Sequence, residues 1–313
     1  MNLPNDRDRI KRYSIADRVS KVSTGQYAKR VAPGRSFQDF VEGLPDLLQS
    51  KALLELAEAV VKARRHSKPV FLLYGAHVVK AGLAPLLCQA LEEGWVTYAA
   101  TNGAGTIHDY ELACHGHTSE DVAEALEDGS FGMALETGRD WNLAVREGAG
   151  RGIGLGQAVG EAILKSAPAE RARDSIAATA ARVGRPVTSH VAIGTDITHC
   201  HPEADGAALG KTSFQDFEVF RRRVAELHDG GVAINVGSAV ILPEVFLKAL
   251  SLARNLSGPV TGFTTANLDM IRHYRPRMNI LERPTRASGK ALEVTGPHEI
   301  LIPLLFQMVC ERL

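Results

Sequence analysis

The sequence predicts an α/β protein: a Rossmann-like parallel sheet with helices on both faces. Segments with apolar residues at 3.6-type spacing alternate with short apolar runs, the alternation of βαβ units. Those runs are nearly continuous, as strands buried on both faces require. After nearly every run come Gly and a polar side chain, which suits the carboxyl edge of a parallel sheet, where ligands bind.

The elements follow in order. Residues 1–35 carry Arg7, Arg9, Lys11, Arg12, Arg18, Lys21, Lys29, Arg30 and Arg35 against Asp6, Asp8 and Asp17, with few large apolar residues. They read as a basic arm, either solvated or draped over a neighbouring subunit. Residues 36–313 are expected to form one domain. LLQSKALLELAEAVVKARRH has helical periodicity and leads into the strand KPVFLLY, which stops at Gly75. A helix near 79–93, the strand WVTYAA, and helices near 107–114, 119–127 and 169–182 come next, followed by the strand VTSHVAI. A helix near 213–228, the strand GVAINV, a helix near 243–254, the strand PVTGFTT and a helix near 299–312 complete the chain. GAGRGIGLGQAVGEAI has glycines at 148, 150, 152, 154, 156 and 160, which is not the G-x-G-x-x-G spacing, and reads as a flexible loop or lid.

Composition removes several function classes. The 36 basic residues equal the 36 acidic ones, so no net field recruits nucleic acid or an anionic membrane. No run approaches the roughly eighteen apolar residues of a membrane helix, and the N-terminus has no apolar signal core. Cys88, Cys114, Cys200 and Cys310 are far apart without C-x-x-C, against a disulfide scaffold or zinc ribbon. A cytoplasmic protein is expected.

The segments after the strands hold the candidate site. They carry His77; Asn102, His108, Asp109 and Glu111; Asp196, His199, Cys200, His201, Glu203 and Asp205; Asn235, Gly237, Ser238 and Glu244; and Asn267, Asp269 and His273. Backbone N–H groups in Gly-rich turns suit a phosphate, and so a nucleotide or dinucleotide. THCHPEAD allows three readings. His199 and His201 can ligate a metal with a third ligand from His108 or Asp109, a His beside a carboxylate can move a proton, or the segment is simply a loop. Asp109 either caps a helix or faces a ligand's ribose or amine.

The ordered motifs resemble deoxyhypusine synthase from about residue 36 onward. SFQDFVEGLPDLL and FLLYGAHVVKAGLAPLL look like the family's leading helix and first strand, and ATNGAGTIHDYE is similar to its Thr-Ala-Gly-Gly stretch with following acidic residues. SFQDFEVF, GGVAINVGSAVILPEVFLKAL, GFTTANLD and EILIPLL are similar to later elements. The N-G-A-G-T-I-H-D-Y-E string also looks like the N-A-x-A-x-H-D-x-E motif of the ornithine cyclodeaminase domain of the LOR/SDH type. The resemblance implies NAD as cofactor, held by His77, Thr101, Asn102, Gly103, Gly237, Ser238, Thr265 and Ala266, and a homotetramer.

The family's lysine segment is missing. RPRMNILERPTRASGK has no Trp and places Pro284 about where that lysine falls, with Lys290 six residues later. Deoxyhypusine synthesis is therefore not expected. The reading is an NAD-dependent enzyme that transiently oxidises a small amine or amino acid, followed by transfer, elimination or cyclisation. His108, Asp109, His199 and His201 would move protons, Asp216 or Glu244 would hold an ammonium, and Arg275 a carboxylate. A metal-dependent hydrolase and a non-catalytic nucleotide-binding protein are the alternatives.

Overall fold

The computed structural model describes residues 6–313. The chain divides into two compact units between Lys51 and Ala52. The first holds three single 3-10 turns and α1 (Phe37–Glu42), which starts at a capping box between Ser36 and Asp39. Its Ile10, Tyr13, Ile15, Val19, Tyr27 and Val31 side chains are exposed.

After α2 (Leu48–Arg65), which begins just before the division, the second unit runs β1 (Val70–Tyr74), α3 (Ala76–Lys80), α4 (Ala84–Glu92), β2 (Tyr98–Asn102), α5 (Gly103–His115) and α6 (Val122–Asp128). It continues with α7 (Leu135–Arg151), α8 (Leu155–Ser166), α9 (Ala169–Ala172), α10 (Ile176–Arg182), β3 (Val187–His190), α11 (Gly206–Val224) and β4 (Val232–Val236). Then come α12 (Ile241–Ser257), β5 (Thr264–Asp269), α13 (Tyr274–Pro276), a π-helical stretch over Arg277–Glu282, α14 (Arg283–Thr285), β6 (Lys290–Thr295) and α15 (His298–Cys310).

The six strands form one parallel sheet in the order β3-β2-β1-β4-β5-β6. The chain builds outward from β1 to β3, then returns to the other side of β1 to lay down β4. That reversal between β1 and β4 opens the crevice of a doubly wound sheet at the strands' carboxyl ends. Every residue of β1 and β4 is buried, so helices cover both faces. One core packs Phe71, Tyr98, Phe220 and Phe246 around these strands, with the Tyr98 and Phe220 rings stacked at 5.3 Å.

The fold departs from expectation in three places. The Gly-rich stretch near 148–160 is not a lid. It is the end of α7 and the start of α8, and Gly148, Gly154, Gly156 and Gly160 are packing positions: a Cβ on Gly160 would lie 2.3 Å from the Ala177 carbonyl oxygen, so α8 and α10 touch backbone to backbone. The expected strand PVTGFTT starts late, at Thr264, because Gly262 turns the chain at φ +72°; its carboxyl end is therefore Asp269. The unexpected edge strand β6 pairs with β5 along KALEVT, whose charges hide a strand pattern buried at Leu292 and Val294.

Candidate functional site

A cavity of about 470 Å³ opens at the carboxyl edge, between α5, the segment after it and the loop after β3. Its polar lining includes Lys80, His108, Glu111, Glu120, Glu136 and Asp196, with Thr118 and Thr137 beside Glu111. A larger one, about 700 Å³, lies at the opposite edge against Lys68, Thr97 and Arg185, away from the crevice where such sheets bind ligands.

α5 starts directly at the end of β2, capped by Asn102, whose Oδ1 accepts the Gly105 N–H at 3.0 Å. One turn further on, His108 faces the cavity. Its Nδ1 is 2.7 Å from Thr118 Oγ1, whose hydroxyl donates to Glu111 Oε2, while Glu111 Oε1 accepts from Thr137 Oγ1 at 2.9 Å. Because Thr118 spends its proton on Glu111, His108 must donate from Nδ1. Burial raises the Glu111 pKa, but the hydrogen bonds from His108, Thr118 and Thr137 outweigh it and hold the carboxyl below its ordinary value.

Asp196 enters the same cavity from the loop after β3. Burial pushes its carboxyl up, opposed by His199, by the Ala104 N–H and by His108. His199 lies behind it with its Nε2 at 3.8 Å from Asp196 Oδ2.

The remaining expected catalytic residues point elsewhere. Asp109 is buried in the middle of α5 and accepts from Ser175 Oγ and from the Ile176 and Ala177 N–H groups, so it caps α10. Burial, opposed by those bonds, pushes its pKa up to about 6. His201 is buried, with Nε2 2.8 Å from the Gly132 carbonyl. His199 and His201 thus face different partners, and among the described residues no group of three His, Cys, Asp or Glu could hold a metal ion.

Nor are the expected substrate residues arranged as receptors. Asp216 is buried and accepts from the Gly156 and Ser189 N–H groups, tying the start of α8 to β3; burial pushes its pKa up to about 7. Glu244 and Arg275 pair with each other at 3.2 Å, and Glu244 also binds Lys248 and Asn279.

The expected cofactor residues divide by depth in the sheet. At the reversal, β1 and β4 end in contact: a Cβ on Gly75 would lie 2.2 Å from the Gly237 carbonyl oxygen. His77 stands here, its ring 5.4 Å from that of His298. Ser238 Oγ accepts the Leu242 N–H at the start of α12. Thr101 donates to the Tyr74 carbonyl and only ties β2 to β1, and Gly103 lies under Asp196. Thr265 and Ala266 are fully buried in the first half of β5, four and three residues before Asp269. At about 3.3 Å per residue, this puts them some 10 Å below the edge.

Asn235 and Asp269, which the sequence placed after strands without a role, and His298 complete the edge. Asn235 Oδ1, Asp269 Oδ2 and His298 Nδ1 are buried acceptors with no donor in the protein. His298 Nε2, 3.3 Å from the Leu268 carbonyl, carries the ring proton, which leaves Nδ1 as a lone pair. Three such acceptors at the ends of β4, β5 and the start of α15 fit the ribose hydroxyls and carboxamide of a dinucleotide, which are rich in donors. A D-x-x-H capping box at Asp196 and His199 is the one local signal that could have drawn attention to Asp196.

No family model matches the sequence, and no curated protein does. Solved structures share the fold. A protein assigned as LOR/SDH from Methanococcus maripaludis S2 matches with a TM-score of 0.52 and 14% identity, over 96% of this chain and 75% of its own. AgrE in a ternary complex with ornithine and NAD+ gives 0.53 and 17%, over 83% of this chain and 33% of AgrE. A protein assigned as a deoxyhypusine synthase from Entamoeba histolytica gives 0.54 and 12%, over 89% and 94%. At these identities the likeness is one of fold, the fold that the sequence motifs resembled. This chain spans only about a third of AgrE. No helix among the described residues is long and apolar enough to cross a membrane.

Proposed function

We propose that the protein is an NAD-dependent enzyme that transiently oxidises a small amine or amino acid and then completes a transfer, elimination or cyclisation. The observation that carries this reading is the juxtaposition at one sheet edge of two features. The ends of β4 and β5 and the start of α15 carry unpaired buried acceptors, and the cavity beside β2 carries Glu111 and Asp196 with Lys80. The dinucleotide would lie along Gly75, His77, Gly237 and Ser238, with its donors toward Asn235, Asp269 and His298. When bound, NAD accepts a hydride from the carbon that bears the substrate nitrogen.

This chain's residues do the rest. Glu111 and Asp196 attract the cationic nitrogen, Lys80 suits a substrate carboxylate, and His108 presents its Nε2. AgrE, which shares the fold, was solved with ornithine and NAD+, which supports both ligand classes. A homotetramer acting in the cytoplasm belongs to the same reading.

The test is direct. The purified protein is incubated with NAD and a panel of amino acids and diamines while NADH fluorescence is followed, and dinucleotide binding is measured by calorimetry. NAD binding with substrate-dependent NADH supports the reading. Failure of NAD to bind sinks it.

A further inference from the structure

Resting on that reading, we propose that Asp196 is the catalytic base of the cavity, that His199 is its positioning residue, and that Glu111 is the anion that stays charged. In the proton step an N–H bond of the substrate ammonium breaks, its electron pair stays on nitrogen, and the proton goes to the Asp196 carboxylate. The products are a neutral amine and a carboxylic acid.

Four carboxylates line the cavity, Glu111, Glu120, Glu136 and Asp196, and the geometry separates Glu111 from Asp196. Glu111 has both oxygens engaged by hydroxyls, and its carboxyl sits below its ordinary value. The Asp196 carboxylate takes the Ala104 N–H, yet its Oδ2 has no partner, its side chain is 4% exposed and its carboxyl is raised. Two carboxyls whose surroundings push them apart mark a fixed charge and a proton carrier. The backbone is shaped around the second: a Cβ on Gly103 would lie 1.9 Å from Asp196 Oδ2, so the carboxylate sits where a side chain at 103 would be.

His199 cannot serve as the base itself. Its Nδ1 lone pair accepts the Gly194 N–H at 3.1 Å and the Asp196 N–H at 3.3 Å, so the ring proton is on Nε2. That Nε2–H is buried with no acceptor, and it faces Asp196 Oδ2 at 3.8 Å. A movement of about 1 Å closes this gap to hydrogen-bond length. The other charged or titratable groups around the cavity are His108, Glu111 and His115 from α5, His117 and Glu120 from the segment after it, Lys80 from α3 and Glu136 from α7.

The experiment uses the full chain labelled with carboxyl-13C aspartate, with the Asp196 resonance assigned by its loss in Asp196→Asn. We expect this carboxyl to titrate above the ordinary aspartate range and to move when L-ornithine is added. His199→Leu should raise its titration further, and His199→Gln, whose amide N–H replaces the imidazole donor, should restore it. In turnover, Asp196→Asn should lower kcat about 10²- to 10⁴-fold and remove the acidic limb of the pH profile, whereas Glu111→Gln should act mainly on KM. An Asp196 carboxyl that titrates in the ordinary range, or that neither His199 variant moves, overturns the assignment whatever the turnover. If NAD does not bind but Asp196 titrates high and responds to L-ornithine, the redox reading fails and the base assignment stands.

Discussion

Asp109 Oδ2 accepts the Ser175 hydroxyl at 2.8 Å, and the same carboxylate takes the Ile176 and Ala177 N–H groups, so a residue in the middle of α5 caps the start of α10. Asp109→Ala would strand these donors in the interior, at a cost of about 2–4 kcal/mol. Urea denaturation should show that loss, with Asp109→Asn milder. A variant that folds with full stability but loses NAD turnover would return Asp109 to the chemistry.

Asp109 and Asp216 set a pH dependence of stability. Their folded pKa values, about 6 and about 7, lie above the ordinary value of 3.8, so the native state holds protons that the unfolded chain has released. Their contribution is fully present below about pH 4 and is lost as pH rises to about 7. The melting temperature should carry a component that falls over this window, and Asp216→Asn should flatten it. An unchanged slope in that variant would contradict the assignment.

Gly160 and Gly150 should respond oppositely to alanine. A Cβ at 160 would overlap the Ala177 carbonyl, whereas nothing lies within 4 Å of one at 150. Gly160→Ala should cost about 1–3 kcal/mol through strain between α8 and α10, and Gly150→Ala should be neutral or stabilising by up to ~1 kcal/mol. Thermal melts of the two variants decide whether this stretch is packed or mobile.

The depth of the β5 residues predicts which of them dinucleotide binding will notice. Asp269→Asn and His298→Gln should each weaken NAD binding about 10-fold or more, because they change unpaired acceptors at the edge. Thr265→Val should leave it unchanged. Calorimetric titration compares the three, and equal losses would move the cofactor away from this edge.

The first unit exposes Ile15, Val19 and Val31 at 74%, 96% and 89%, more apolar surface than a solvated arm requires. If the protein is a homotetramer, removing residues 1–35 should lower the mass measured by light scattering. An unchanged mass would make the arm irrelevant to assembly.

The sequence by itself determined the α/β class, the parallel character of the strands and the edge at which the polar residues gather. Continuous apolar runs such as VFLLY and VAINV can be satisfied only between helices, and alternation along the chain is a local property. The His108 and Glu111 spacing on α5 was likewise visible, because one helical turn brings such residues to one face. Only the tertiary structure decided what each polar residue does. Asp109 and Asp216 read like site carboxylates, but donors from distant segments, Ser175 and Gly156 among them, claim them. Asp196 and His298 drew less notice in the sequence, yet each keeps a buried polar atom without a partner at the edge. Whether a polar group is spent or available depends on contacts between segments tens of residues apart, and no local pattern encodes those.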